Sequence, residues 1–171
     1  MAKKEMLTTS DIDAMKSKHD IDGLTEALNY AMSDADRRRI ASRTAEALDE
    51  LQWRPQRDRT GALYWMTKKR WSKCAEIGPD AVAPLLSRIG YGWSPISSFQ
   101  KGPVKALGEI GDPRATDALV SLLISSENQG YEERDALIKI GGKKAIKKLK
   151  RVAKNKTNKN AVRYHAIQVL G

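Results

Sequence analysis

Apolar residues recur along this chain at helical spacing, and the recurrence itself repeats. The segments Ala106-Leu-Gly-Glu-Ile-Gly-Asp112 and Ala136-Leu-Ile-Lys-Ile-Gly-Gly142 align at a separation of thirty residues, each an apolar helical pattern stopped by glycine. A third stop, Ala75-Glu-Ile-Gly78, lies thirty-three residues before Gly111. A weaker version without its glycine, Ala47-Leu-Asp-Glu-Leu51, precedes it, and Val169-Leu-Gly171 looks like another.

After each stop the chain restarts with helix-forming sequence: Pro79 to Leu86, Asp112 to Leu123, and Lys143 to Leu149. Proline near a first helical turn is tolerated, because its missing N–H would be unpaired there anyway. Ala115, Leu119, Leu122 and Leu123 form an apolar stripe that Ala145, Leu149, Val152 and Ala153 repeat thirty residues later. No segment shows a sustained strand alternation. The unit is therefore helix, tight glycine-containing turn, helix, and it buries its stripe only by stacking on its neighbours. The predicted fold is an all-α solenoid of stacked antiparallel helix pairs forming a single domain over 1–171, with N-terminal helices over about 1–52, an aromatic-rich irregular insertion over 53–76, and regular repeats over 77–171. At the front, Ser10 or Asp11 is expected to cap a short helix to about Lys18, followed by helices over Ile21 to Met32 and Asp34 to Leu51.

The stop-and-restart segments resemble HEAT repeats of the short phycobilisome-lyase type (PBS lyase HEAT-like). The residues that carry the resemblance are Ala106-Leu-Gly-Glu-Ile-Gly-Asp-Pro-Arg-Ala115, Ala81-Val-Ala-Pro-Leu-Leu86 and Val162-Arg-Tyr-His-Ala166, and it covers about Asp20 to Gly171. The insertion, Trp53-Arg-Pro followed by Tyr64 and Trp71 before the Ile77-Gly78 stop, also looks like an element of this group. What the resemblance implies is a right-handed superhelix whose second helices line a concave face, commonly used to hold another protein. Three enzymatic relatives bear on that. Deoxyhypusine hydroxylases bind iron through His-Glu pairs, whereas the histidines here stand in His19-Asp20 and His165-Ala166. Bilin lyases share the repeat type, but no residue singles out a chromophore site. HEAT-like alkylpurine DNA glycosylases combine a basic groove with Trp and a carboxylate, features matched here only in composition.

Charge changes the picture more than any motif. The chain carries 31 Lys and Arg against 21 Asp and Glu, a net +10. Ten of those cations, Lys143, Lys144, Lys147, Lys148, Lys150, Arg151, Lys154, Lys156, Lys159 and Arg163, fall between Gly142 and Arg163, where there is no acid at all. On a helix from about Lys143 to Lys154, Lys143, Lys147, Lys150, Arg151 and Lys154 project from one side, and Ile146, Leu149, Val152 and Ala153 supply the apolar side. The basic face, with Lys144 and Lys148 included, is the candidate partner-binding surface. A solubilising end cap, an acidic protein surface and a nucleic acid are the alternatives, and a basic groove continuous with Arg54, Arg57, Lys68, Lys69 and Arg70 would favour nucleic acid.

The aromatic residues collect nearby in sequence: Trp53, Tyr64, Trp65, Trp71, Tyr91, Trp93 and Phe99. They fill space where regular stacking is interrupted, or Tyr91, Trp93 and Trp65 form an exposed contact patch. Cys74 stands alone and is expected to be a buried, inert thiol. No glycine-rich phosphate loop and no metal-ligand spacing is present, so no cofactor, metal or catalytic residue is assigned. The carboxylates Glu46, Asp49 and Glu50, and Glu132, Glu133 and Asp135, are expected to form solvated helix faces or to pair with nearby Arg and Lys. The opening Met-Ala-Lys-Lys-Glu lacks an apolar core and no stretch is long enough to span a bilayer, which predicts a cytoplasmic protein. The expected function is a non-catalytic scaffold for a protein partner, with nucleic acid or a lyase-like enzyme as alternatives; the last helix either caps the array or associates with another subunit.

Overall fold

The computed structural model describes residues 7–32, 38–90, 101–125 and 130–170. Among these the architecture is all-α, with no strand. The described residues fall into two compact units, 1–70 and 71–171, and the division lies inside the stretch expected to be irregular.

The first unit holds α1 (Thr9–Ser17), α2 (Ile21–Met32), α3 (Arg38–Glu50) and α4 (Arg59–Thr67). The helices close around Ile12, Leu24, Leu28 and Leu48, all fully buried. The cap of α1 is neither Ser10 nor Asp11 but Thr8. Its hydroxyl accepts the Asp11 N–H while the Asp11 carboxylate accepts the Thr8 N–H at 2.7 Å, a capping box in which Asp11 is the third-position partner. The start of α3 expected at Asp34 lies outside the described residues. Three helices here stop without glycine: His19, Gln52 and Lys69 adopt φ of 53°, 55° and 55°. After α3, Gln52 N–H donates to the Asp49 carbonyl and Trp53 N–H to the Leu48 carbonyl, both at 2.9 Å, the double closure that satisfies the orphan carbonyls of a helix end.

The second unit holds α5 (Trp71–Ile77), α6 (Pro79–Gly90), α7 (Lys101–Ile110), α8 (Thr116–Ser125), α9 (Tyr131–Ile140), α10 (Gly142–Lys154) and α11 (Asn160–Leu170), with one 3-10 turn over Pro113–Ala115. Its helices form two layers. The first helices α5, α7, α9 and α11 pack in succession, the second helices α6, α8 and α10 do the same, and α6 on α7, α8 on α9 and α10 on α11 join the layers. Gly111 and Gly141 take φ of 71° and 57°, a left-handed turn residue at each predicted stop. The restart after Gly111 is fixed by Asp112, which caps the 3-10 turn through the Arg114 N–H at 2.8 Å and grips the Arg114 guanidinium. That guanidinium also donates to the Pro79 carbonyl at 2.9 Å, tying one restart to the previous one. Pro79 opens α6 as expected, but Pro84 lies inside that helix, beyond the first turn.

Candidate functional site

The cationic helix is α10, and its wheel decides which cations are available. Ala145, Leu149 and Val152 are buried beneath it. Lys144 and Lys148 lie on the flank toward α8, where both reach one carboxylate: Asp117 is 3.1 Å from the Lys144 ammonium and 2.6 Å from that of Lys148. Hydrogen bonds from Lys148 and then Lys144 hold the Asp117 carboxyl below the usual carboxylate range. Lys143, Lys147, Lys150, Arg151 and Lys154 are all exposed and pair with no acid among the described residues. The seven predicted residues thus divide into five that project together and two that brace α10 against α8. Ile146 departs from expectation: assigned to the apolar side, it is 42% exposed on the flank away from α8.

Arg54, Arg57, Lys68, Lys69 and Arg70 belong to the first unit. Lys68 there shares Asp49 with the Tyr64 hydroxyl, which donates to the same carboxylate. Burial and then Asp49 push the Tyr64 phenol upward, so it stays a hydrogen-bond donor. Burial raises the Asp49 carboxyl, but hydrogen bonds from Lys68 and Tyr64 outweigh it and bring it below its ordinary value.

Trp53 and Trp65 pack edge-on against Tyr64, with ring centroids 5.4 and 4.9 Å away. In the second unit, the Trp71 indole lies so close over Gly102 that an added Cβ would fall 2.2 Å from Nε1. Trp53, Tyr64 and Trp71 therefore fill joints between helices. Trp65 is half-buried, and Tyr91, Trp93 and Phe99, with the contact patch built on the first two, lie outside the described residues.

Cys74 is fully buried, and burial pushes its thiol up to about 12, so it stays protonated and unreactive at neutral pH. The carboxylate clusters are drawn into ion pairs: Glu50 with Lys16 and Arg43, Glu132 with Lys101 at 2.6 Å, and Asp135 with Arg134 at 2.7 Å. Burial raises the Glu133 carboxyl above its ordinary value. A groove of about 500 Å³ runs between α7 and α9, walled by Lys101, Lys105, Glu132, Asp135, Ile138 and Lys139. Its lining mixes three lysines with two acids and contains no histidine or thiol. Among the described residues no three His, Cys, Asp or Glu side chains gather as a metal site, and no described helix is long and apolar enough to cross a membrane.

His19 is exposed, whereas His165 is buried between the edges of Tyr131 and Tyr164, at 5.0 and 5.9 Å, with no hydrogen-bond partner for Nδ1 among the described residues. Burial lowers its pKa from 6.5, the Arg134 charge lowers it further, and Asp135 acts in the opposite sense. The folded chain therefore resists a proton that the unfolded chain accepts. Stability from the neutral imidazole is complete above the unfolded value and is lost as pH falls from 6.5 through the lower folded value. The melting temperature is expected to drop as pH falls below about 7, with a shallower slope in His165→Phe; equal slopes in a calorimetric pH series would refute the assignment.

Sequence reasoning identified α10 but missed Asp117, the acid that removes two of its lysines from the free face. It also missed the exposed apolar residues Ile146, Tyr164 and Ile167.

Residues 104–125 match the PBS lyase HEAT-like repeat family. The matched span is one stacking unit, running from within α7 across the Asp112 turn to the end of α8. No curated protein and no solved structure matches the chain.

Proposed function

We propose that this protein is a non-catalytic repeat scaffold and that the outer face of α10 holds an acidic surface of a partner protein. The observation that carries the reading is the set of five exposed, acid-free cations, Lys143, Lys147, Lys150, Arg151 and Lys154, on one helix. Within α10, Lys143 and Lys147, Lys147 and Arg151, and Lys150 and Lys154 are like-charge neighbours four residues apart. Each such pair destabilises an isolated helix by about 0.2–0.5 kcal/mol, a cost that an anionic partner relieves. Carboxylate is the anion this helix already engages, at Asp117. The exposed Ile146 beside Lys150 adds an apolar edge that suits a protein surface better than a phosphate backbone.

The test is fluorescence anisotropy of a labelled polyglutamate peptide of about 20 residues and of single- and double-stranded DNA and RNA, at about 50 and 200 mM salt. The informative variant is Lys143→Glu, Lys147→Glu, Lys150→Glu and Lys154→Glu together, because Lys144 and Lys148 are needed by Asp117. We expect salt-sensitive peptide binding that weakens at least about tenfold in the variant. Nucleic-acid binding without peptide binding would replace the reading, and no binding at low salt would end it.

A further inference from the structure

Because the repeats from α7 onward are thirty residues apart, one position can be followed along that part of the stack. On the first helices, Leu107 and Leu137 are fully buried, while Ile167, the same position on α11, is 55% exposed. On the second helices, Thr116 of α8 is fully buried, while Ile146, its counterpart on α10, is 42% exposed. The difference is what lies alongside: α8 has α9 and α10 against it, and α10 has α8 and α11 but no further second helix among the described residues. Here two isoleucines occupy positions that are buried one repeat earlier.

We propose that the open end formed by α10 and α11 docks an acidic amphipathic helix of another protein, seated beside α10 as α10 is seated beside α8. This rests on the scaffold reading above and specifies the partner's form. Charge at the existing joint selects the occupant. There α8 contributes the acid Asp117 and α10 answers with Lys144 and Lys148. One repeat on, Lys147 stands where Asp117 stood, and Lys150 stands where the buried Val120 stood. The pairing is inverted, so the incoming helix must bring the carboxylates. A second copy offering its own α10 would set lysines against lysines, which disfavours it. Apolar residues of the guest three and four apart would cover Ile146 and Ile167, while flanking acids meet Lys147 and Lys150.

The probe is a labelled peptide of about 18 residues, five helical turns, with leucines on one stripe and glutamates elsewhere. A control peptide of identical composition has its leucines dispersed around the helix. The variant Ile146→Ser plus Ile167→Ser changes exposed side chains only, and circular dichroism verifies that it folds. We expect the striped peptide to bind at least about tenfold tighter than the control, the variant to erase that difference, and the methyl resonances of Ile146 and Ile167 to shift on titration. Equal binding of both peptides, unaltered in the variant, overturns the docked helix and leaves the cationic reading standing. Binding of neither at low salt overturns both. Sedimentation showing self-association of the unliganded protein that the variant abolishes would assign the end to a second copy and overturn the proposal.

Discussion

Leu137→Ala should lower the unfolding free energy by about 2–5 kcal/mol, and Leu107→Ala by a similar amount, whereas Ile167→Ala should change it by less than about 0.5 kcal/mol. All three residues occupy one position of the thirty-residue repeat. The two leucines have no exposed surface, so truncation removes their packing and leaves a cavity that rigid helices fill poorly. Ile167 is 55% exposed, and alanine's better helix propensity offsets part of the little packing it loses. Equilibrium urea denaturation of the three variants measures the series. A large loss at Ile167 would mean that this side chain is covered, and the open end of α10 and α11 would have to be redrawn.

That contrast also marks how far sequence reading reached. The match of Ala106–Gly111 with Ala136–Gly141 located α7, α9 and the turns after them, because a buried stripe and a left-handed glycine are both local demands on the chain. The stops of the first unit were harder to see. His19, Gln52 and Lys69 accept a left-handed φ that costs a non-glycine residue about 1–2 kcal/mol, and tertiary packing overrides a penalty of that size. Thr8 was passed over as a cap because Ser10 and Asp11 are equally good capping residues, and only the position of the first turn separates them.

The candidate site was legible as composition and obscure as geometry. A run of cations on α10 follows from residue types and the helical period alone. Which lysines are free depends on Asp117, a full repeat away, and so on the stacking of α8 against α10. Ile146 shows the same limit. A helical wheel gives the angle of a side chain to the buried stripe, and Ile146 lies at its edge; whether the edge is covered is a property of the neighbouring helix, not of α10.

The stacking of first helices sets the second large effect, at Gly108. A Cβ built there would fall 2.7 Å from the Ala136 Cα and 2.8 Å from its Cβ, so α7 approaches α9 with no room for a side chain. Gly→Ala inside a helix ordinarily gains about 0.5–1 kcal/mol. Here the overlapping atom is backbone, which cannot swing aside, and overpacking costs about 1–3 kcal/mol. Gly108→Ala should therefore be destabilising despite the better propensity, and Gly108→Leu more so. Removing the opposing methyl with Ala136→Gly clears the contact at 2.8 Å but not the one at 2.7 Å, so the double variant should recover only part of the loss beyond the cost of the new glycine. Gly111→Ala is the contrasting control: nothing lies within 4 Å of its Cβ position, and its cost comes from φ of 71° alone. Partial rescue by Ala136→Gly at position 108, and none at 111, would distinguish steric contact between α7 and α9 from backbone strain in the turn. A stabilised Gly108→Ala would mean that these two helices lie farther apart than the fold requires, and with them the tight first-helix layer on which α11 is aligned.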